Sequence, residues 1–210
     1  MIQATAEPTI DRPRPLGRSL RLAETRAGAA ERPELEAYVR AAFERKHGAS
    51  VMSFMPTLLS FRDGQADLRG VVGLRAAASQ ALYLEQYLEQ PVETAIAAAT
   101  GRPVERRQVV EVGNLAGANC RTAMRMVAAL PAYLLERDYQ WIVFTATSAV
   151  RGILQGFGAP LVELARAEGG RVARGPDQWG RYYETDPRVL AGYLPASQRI
   201  PGFRVAAHDR

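Results

Sequence analysis

Val109-Val110-Glu111-Val112-Gly113-Asn114-Leu115-Ala116 is an apolar run with one acid inside it, and it leads directly into Gly117-Ala118-Asn119 and a helical segment from about Cys120. Valines at 109, 110 and 112 occupy both parities of an extended chain, so both faces are expected to be buried and the segment to be a central strand. Glu111 then stands where an unpaired charge is costly. Such a carboxylate either takes a cationic partner, for which Arg75, Arg107 and Arg121 are available, or has its pKa raised by desolvation, which makes a general base that works near neutrality. The sequence leaves both open. Gly113, Gly117 and the amides that enter the helix form a strand, turn and helix N-terminus of the kind that holds a phosphate or pyrophosphate. Without GxGxxG or a P-loop pattern, the same residues also describe an ordinary tight connection.

With 210 residues and 47% hydrophobic content, the chain is long enough to bury a large core in one domain. The net charge of +5 is an arginine surplus: of 27 basic residues only Lys46 is a lysine, and the arginines are spread along the chain. That balance suits an anionic partner such as an acidic carrier protein or a phosphorylated cofactor. Nucleic acid is disfavoured, because there is no basic run with interleaved aromatics, no RNP-like strand and no helix-turn-helix pattern. Cys120 is the only cysteine, which excludes an internal disulfide, points to a reducing compartment and is expected to be a small buried residue. The N-terminus has neither a basic region nor an apolar h-region, and no run approaches the roughly 18 apolar residues of a membrane span. A soluble cytoplasmic protein without a metal site is expected, its oligomeric state undetermined.

Residues 1–18 hold Pro8, Pro13 and Pro15 among scattered charges and read as a flexible tail, and 201–210 as a second one. The single domain then spans 19–200, beginning with a short strand at 19–23. Pro33 opens a helix whose apolar positions Leu35, Tyr38, Val39, Ala42 and Phe43 recur at helical spacing to His47, where Gly48 stops it. The turn Arg62-Asp63-Gly64-Gln65 joins 51–61 to a strand over 68–76 as a hairpin. Leu82–Leu88 satisfies neither the strand nor the helix period, and 91–99 reads as a helix capped by Gly101. The helix after the Glu111 strand presents Met124, Val127 and Ala128 on one stripe, with a kink expected at Pro131. A second dense strand covers 140–147, with Ser148 the expected N-cap of a helix over 150–157. This order describes an α/β domain with a mixed central sheet flanked by helices on both faces, with the 109 and 140 strands free to splay at their carboxyl ends and Glu111 facing the opening.

The segments Phe54-Met55-Pro56-Thr57-Leu58-Leu59, Leu84-Glu85-Gln86-Tyr87-Leu88, Val110 to Ala116, Phe144-Thr145-Ala146-Thr147 and Trp179-Gly180-Arg181-Tyr182-Tyr183-Glu184 together resemble the thermostable hemolysin family over about 33–194. A second, weaker likeness links Val71-Val72-Gly73-Leu74-Arg75 and Glu111-Val112-Gly113-Asn114 to the acyl-homoserine-lactone synthases, acyltransferases of the GNAT superfamily. Those enzymes carry Ser-Arg where this chain has Gly113-Asn114, and their N-terminal positions for S-adenosylmethionine have no match here. Nor does Gly117-Ala118-Asn119-Cys120-Arg121 reproduce the GNAT pyrophosphate pattern.

The resemblance implies a GNAT-like N-acyltransferase that moves an acyl chain from an acyl-carrier-protein or coenzyme A thioester to a small amine. No cofactor would be tightly bound. Glu111 would be the base, and Tyr182 would protonate the leaving thiolate, although paired tyrosines beside a tryptophan also serve as packing at a cleft rim. The backbone of Val112, Gly113, Asn114 and Leu115 and the turn Gly117, Ala118, Asn119 and Arg121 would hold the phosphopantetheine arm. Arg75, Glu85, Gln86, Thr145, Thr147, Trp179 and Tyr183 would contact the acceptor or the acyl group. A membrane-active haemolysin and a non-catalytic binding module on the same scaffold are the alternatives. An enzyme that makes a surface-active acyl amide would reconcile the family's name with a chain that lacks a span.

Overall fold

The computed structural model describes residues 20–172 and 176–200; the two expected tails lie outside this range. Seven strands form one sheet in the order β1-β2-β3-β4-β5-β7-β6. They are β1 (Arg21–Arg26), β2 (Thr57–Arg62), β3 (Leu68–Ala76), β4 (Val109–Gly117), β5 (Trp141–Ala146), β6 (Leu161–Arg166) and β7 (Arg188–Tyr193). Neighbours are antiparallel except β4 and β5, the parallel pair at the centre, which is joined through the crossover helix α3 (Cys120–Leu135). The valine-rich segment is therefore the fourth of seven strands, and Val109, Val110 and Val112 are all buried.

Alternation along the strands divides the core between the two faces. Leu58 and Val71 pack with Leu35 and Val39 of α1 (Arg32–His47), whereas Leu59, Val72, Val110 and Val112 pack with Met126, Leu130 and Leu134 of α3. A third cluster, on the Glu111 side, joins Val109, Val143 and Ala191 to Leu84, Tyr87 and Ile96, the last from α2 (Val92–Thr100). Pro33 in the first turn and left-handed Gly48 at the end set the limits of α1, and Gly101 ends α2 in the same way.

Several expectations need correction. Of the expected stripe on α3, Ala128 is buried, Val127 is half-buried and Met124 is exposed; the buried side is led by Thr122, Met126, Leu130 and Leu134. Gly70 leaves room for that packing, because Met126 Sδ occupies the space a Cβ there would need. The α-helix also continues past Pro131 to Leu135. Thr147, not Ser148, caps α4 (Ser148–Gly156), its hydroxyl accepting the Val150 N–H at 3.4 Å. Leu82–Leu88 is neither strand nor α-helix: it carries a 3-10 turn over Tyr83–Tyr87, which explains its failure to match either period. Cys120 is exposed, since the first turn of α3 emerges at the open end of the sheet. Among the described residues, no helix is long and apolar enough to cross a membrane.

Candidate active site

The two central strands part company. β4 and β5 pair over Val109–Trp141, Val110–Ile142, Glu111–Val143 and Val112–Phe144 only, after which β4 continues along β3 and β5 continues along β7. The cause is a bulge. Opposite the step from Val71 to Gly73, β4 advances from Gly113 to Ala116, one residue more than its partner. Asn114 absorbs the extra residue at φ 48°, a left-handed conformation that Asn tolerates better than other residues with a side chain, and such a bulge bends its strand. Its Oδ1 accepts the Met55 N–H at 2.9 Å, tethering the segment before β2 across the sheet. Gly73 is required beneath that segment, because a Cβ there would collide with Cβ and Cγ of Met55, whereas at Gly113 a Cβ would meet only the mobile methyl end of that side chain.

A cavity of about 690 Å³ occupies the opening. Its lining draws on both faces of the sheet: Glu111, Gly113 and Thr145 from one, Val112, Ile142 and Phe144 from the other. It therefore passes between the split strands and joins two dissimilar lobes. One is walled by aromatic and polar groups that include Phe43, His47, Tyr83, Trp179, Tyr182 and Tyr183. The other is apolar, lined by Leu130, Ile142, Phe144, Ile153, Leu154 and Leu161.

Glu111 lies beside the split, on the side of the aromatic lobe. It is 3% exposed, and its two carboxylate oxygens accept the backbone N–H groups of Tyr83 at 2.8 Å and Leu84 at 2.9 Å, at the start of the 3-10 turn. Arg75, directly opposite it on β3, is 3.7 Å away. Burial pushes the Glu111 carboxyl above the ordinary glutamate value, against the lowering effect of the Tyr83 amide, Arg75 and the Leu84 amide. Two amides use only part of a carboxylate's acceptor capacity of about four lone-pair sites, so the group can still accept a proton from the cavity.

Glu85 and Gln86 do not line the cavity. Glu85 accepts the N–H groups of Leu82 and Val92 and forms a two-point ion pair with Arg106, at 2.6 and 2.9 Å, so it holds the 3-10 turn that presents the Tyr83 and Leu84 amides. Gln86 donates to the Tyr83 carbonyl in the same turn. The Arg106 guanidinium, with the Leu82 and Val92 amides, holds the Glu85 carboxyl down to about 2. A glutamate with a depressed folded-state pKa stabilises the fold above its unfolded value and loses that contribution as the pH falls. Glu85→Gln is thus expected to cost about 2 kcal/mol in urea denaturation at neutral pH, with wild type and variant converging as the pH falls towards 2.

The turn after β4 is also partly occupied. The Ala118 N–H donates to the Arg69 carbonyl, and Asn119 caps α3 by accepting the Thr122 N–H at 2.9 Å. Gly117 lets the strand approach α3, since a Cβ there would lie 3.1 Å from the Ala123 nitrogen. Gly117, Ala118 and Asn119 line the cavity, as do Leu115, Thr145 and Thr147, while Arg121 is exposed and outside the lining. Arg45 and Lys46, at the end of α1, are cationic lining residues that no sequence motif marks.

His47 is another such residue. It is buried, its ring meets Tyr182 edge-on at 5.3 Å, and burial holds its pKa below the ordinary histidine value, reinforced by the Lys46 and Arg181 charges. A lone histidine in the last turn of an amphipathic helix carries no pattern that would single it out. Burial raises the Tyr182 phenol and pushes Tyr183 up to about 12. Tyr182 is in consequence a neutral hydrogen-bond donor near pH 7 and a poor acid towards a thiolate, whose ordinary pKa is about 8.5. Tyr183 shares a 2.7 Å hydrogen bond with the Tyr87 hydroxyl, which pins the C-terminal aromatic segment to the 3-10 turn.

The fold is shared with solved synthases: it superposes on the AHL synthase LasI with a TM-score of 0.60 at 13% identity, covering 92% of this chain and 100% of that one. It also superposes on FeeM, an N-acyl amino acid synthase from uncultured soil microbes, with a TM-score of 0.58 at 16% identity, covering 86% and 94%. The CoA-dependent acyl-homoserine lactone synthase MesI gives 0.52 at 14% identity, covering 90% and 97%. The thermostable hemolysin family model matches residues 25–198, and the chain belongs to that family. None of the curated proteins compared matches it in sequence.

Proposed function

We propose that this protein is an N-acyltransferase that moves an acyl chain from a phosphopantetheine thioester, on coenzyme A or an acyl carrier protein, to an amine. The observation that carries the reading is the split between β4 and β5, with a buried carboxylate beside it and an apolar lobe behind it. Beyond Val112 the β5-facing backbone of β4 is free of strand pairing to β5 and can hydrogen-bond the amides of a pantetheine arm. The thioester carbonyl then lies near Glu111 and the acyl chain in the apolar lobe.

The neutral amine attacks the thioester carbonyl carbon, the C–N bond forms, and the C–S bond breaks. Glu111 takes the proton that the nitrogen sheds, directly or through water, and that proton is returned by way of water to the departing thiolate, so the products are an amide and a free thiol and the carboxylate is regenerated. Bringing amine and thioester together in one cavity of mainly apolar lining supplies much of the acceleration. Purified protein, acyl-CoA or acyl-loaded carrier and an amine panel test the reading: free thiol and an acyl-amide mass are expected. No thiol release above background with either donor would refute it.

The apolar lobe makes chain length matter. Each buried methylene is worth about 0.8 kcal/mol, so kcat/KM is expected to rise about fourfold per added methylene until the lobe is full. A flat response across a donor series would mean that the chain lies elsewhere. Cys120 lines the mouth, but direct attack needs no covalent enzyme intermediate. Cys120→Ser is therefore expected to keep turnover within about threefold of wild type, with no acyl adduct by mass spectrometry after incubation with donor alone.

A further inference from the structure

Arg75 is a half-buried cationic group in the cavity whose chemistry the acyl transfer leaves unused. Its Nε is buried and has no hydrogen-bond partner among the described residues. Its nearest carboxylate oxygen, on Glu111, is 3.7 Å from Nη1, well beyond the 2.7–2.9 Å of a charge-assisted hydrogen bond. Glu111 cannot close that gap without releasing the Tyr83 and Leu84 amides that hold both its oxygens. A guanidinium with 16% of its side chain exposed and unfilled donors is costly unless an anion completes it. Among the described residues Glu111 is the only acid in a lining that also holds Arg45 and Lys46, so none of them supplies that anion.

We infer that the acceptor is an amino acid whose carboxylate binds Arg75 while its amine faces Glu111. This rests on the acyl-transfer reading and names its acceptor class. Arg75 and Glu111 are register partners on adjacent antiparallel strands with side chains on the same face, so the two groups they receive must be close together in the ligand. One carbon separates the amine from the carboxylate of an α-amino acid, which suits that spacing. The guanidinium fork fits a planar carboxylate, and the aromatic wall of Tyr83, Trp179 and Tyr182 leaves an apolar surface for the amino acid's side chain. An anion on Arg75 would also offset the positive charge that lowers Glu111, making the base stronger when the acceptor is in place.

The test compares phenylalanine, leucine and glycine with 2-phenylethylamine, isoamylamine and methylamine, in turnover and in calorimetric binding without donor. Wild type is expected to prefer amino acids over their decarboxylated counterparts by about 30-fold or more, the loss expected when charged hydrogen bonds are left unmade. Arg75→Gln should reduce that ratio at least about tenfold, and Arg75→Lys, which keeps the charge without the fork, should restore part of it. Circular dichroism checks that both variants fold. Equal use of amines and amino acids by wild type, or an unchanged ratio in Arg75→Gln, overturns the inference while leaving acyl transfer standing. Amino-acid binding that depends on Arg75 without turnover on any donor overturns acyl transfer and leaves the carboxylate site standing. Absence of both binding and discrimination overturns the inference.

Discussion

Glu111→Gln is expected to fold and to lower acyl transfer by about a hundredfold or more, because glutamine keeps the size of the side chain and one hydrogen-bond acceptor but cannot take a proton. The pH dependence makes the prediction specific. Burial raises the Glu111 carboxyl above the ordinary glutamate range, so the acidic limb of the wild-type kcat/KM profile should titrate above that range and disappear in the variant. Stability should respond with the opposite sign to activity. A glutamate whose folded-state pKa is raised favours folding while protonated, and its contribution declines as the pH climbs from the unfolded value through the folded one. Urea titrations at low and neutral pH are therefore expected to show wild type losing ground to Glu111→Gln as the pH rises. Part of that gain is offset, since the amide NH₂ must face either the Tyr83 or the Leu84 N–H and leave it unpaired. Unchanged turnover in the folded variant would remove Glu111 from the mechanism.

The sequence made the centre of the molecule legible because its signals there are local. Three valines on both parities mark β4 as central, Pro33 and Gly48 bracket α1, and the Asp63-Gly64 turn announces the β2–β3 hairpin. What escaped depends on distant partners. Glu85 reads as a candidate acceptor contact until Arg106, 21 residues away, is found to hold it. Leu82–Leu88 has no period because its conformation follows from Glu111 and Glu85, whose side chains accept the amides of Leu82, Tyr83 and Leu84. The exposed Met124 could not be separated from the buried Met126 without knowing that Gly70 lies beneath the helix. The one-residue bulge at Asn114 was likewise invisible, although Gly-Asn is a pair that tolerates unusual backbone angles. Glu111 was recognisable as a buried acid; its amide donors, and the orphaned Nε of Arg75, belong to tertiary structure.

Gly180→Ala is expected to be among the most damaging small substitutions in the chain, and its site lies within the Trp179-Gly180-Arg181-Tyr182-Tyr183 segment. Gly180 has φ 50°, where a Cβ costs roughly 1–2 kcal/mol. That Cβ would also collide with the His47 carbonyl oxygen and with the carbonyl of Gly48, backbone atoms that cannot rotate away as a side-chain end would. The contact exists because the segment is sewn to the end of α1: Arg181 N–H donates to His47 O at 2.8 Å, and Ser50 N–H donates to Gln178 O at 2.7 Å. Forcing the two apart detaches the segment that carries Trp179, Tyr182 and Tyr183 over the cavity. Gly28→Ala is the control, because Gly28 has φ 86° and a Cβ there would meet nothing within 4 Å, so the substitution carries the backbone penalty alone. Gly28→Ala should cost about 1 kcal/mol, whereas Gly180→Ala should cost about 3 kcal/mol or open the segment locally. Local opening would be seen as a change in tryptophan fluorescence, new proteolysis near Arg181 and a fall in kcat/KM of about tenfold or more. Equal effects of the two substitutions on stability, fluorescence and turnover would show that the close approach to His47 does not hold the aromatic wall in place.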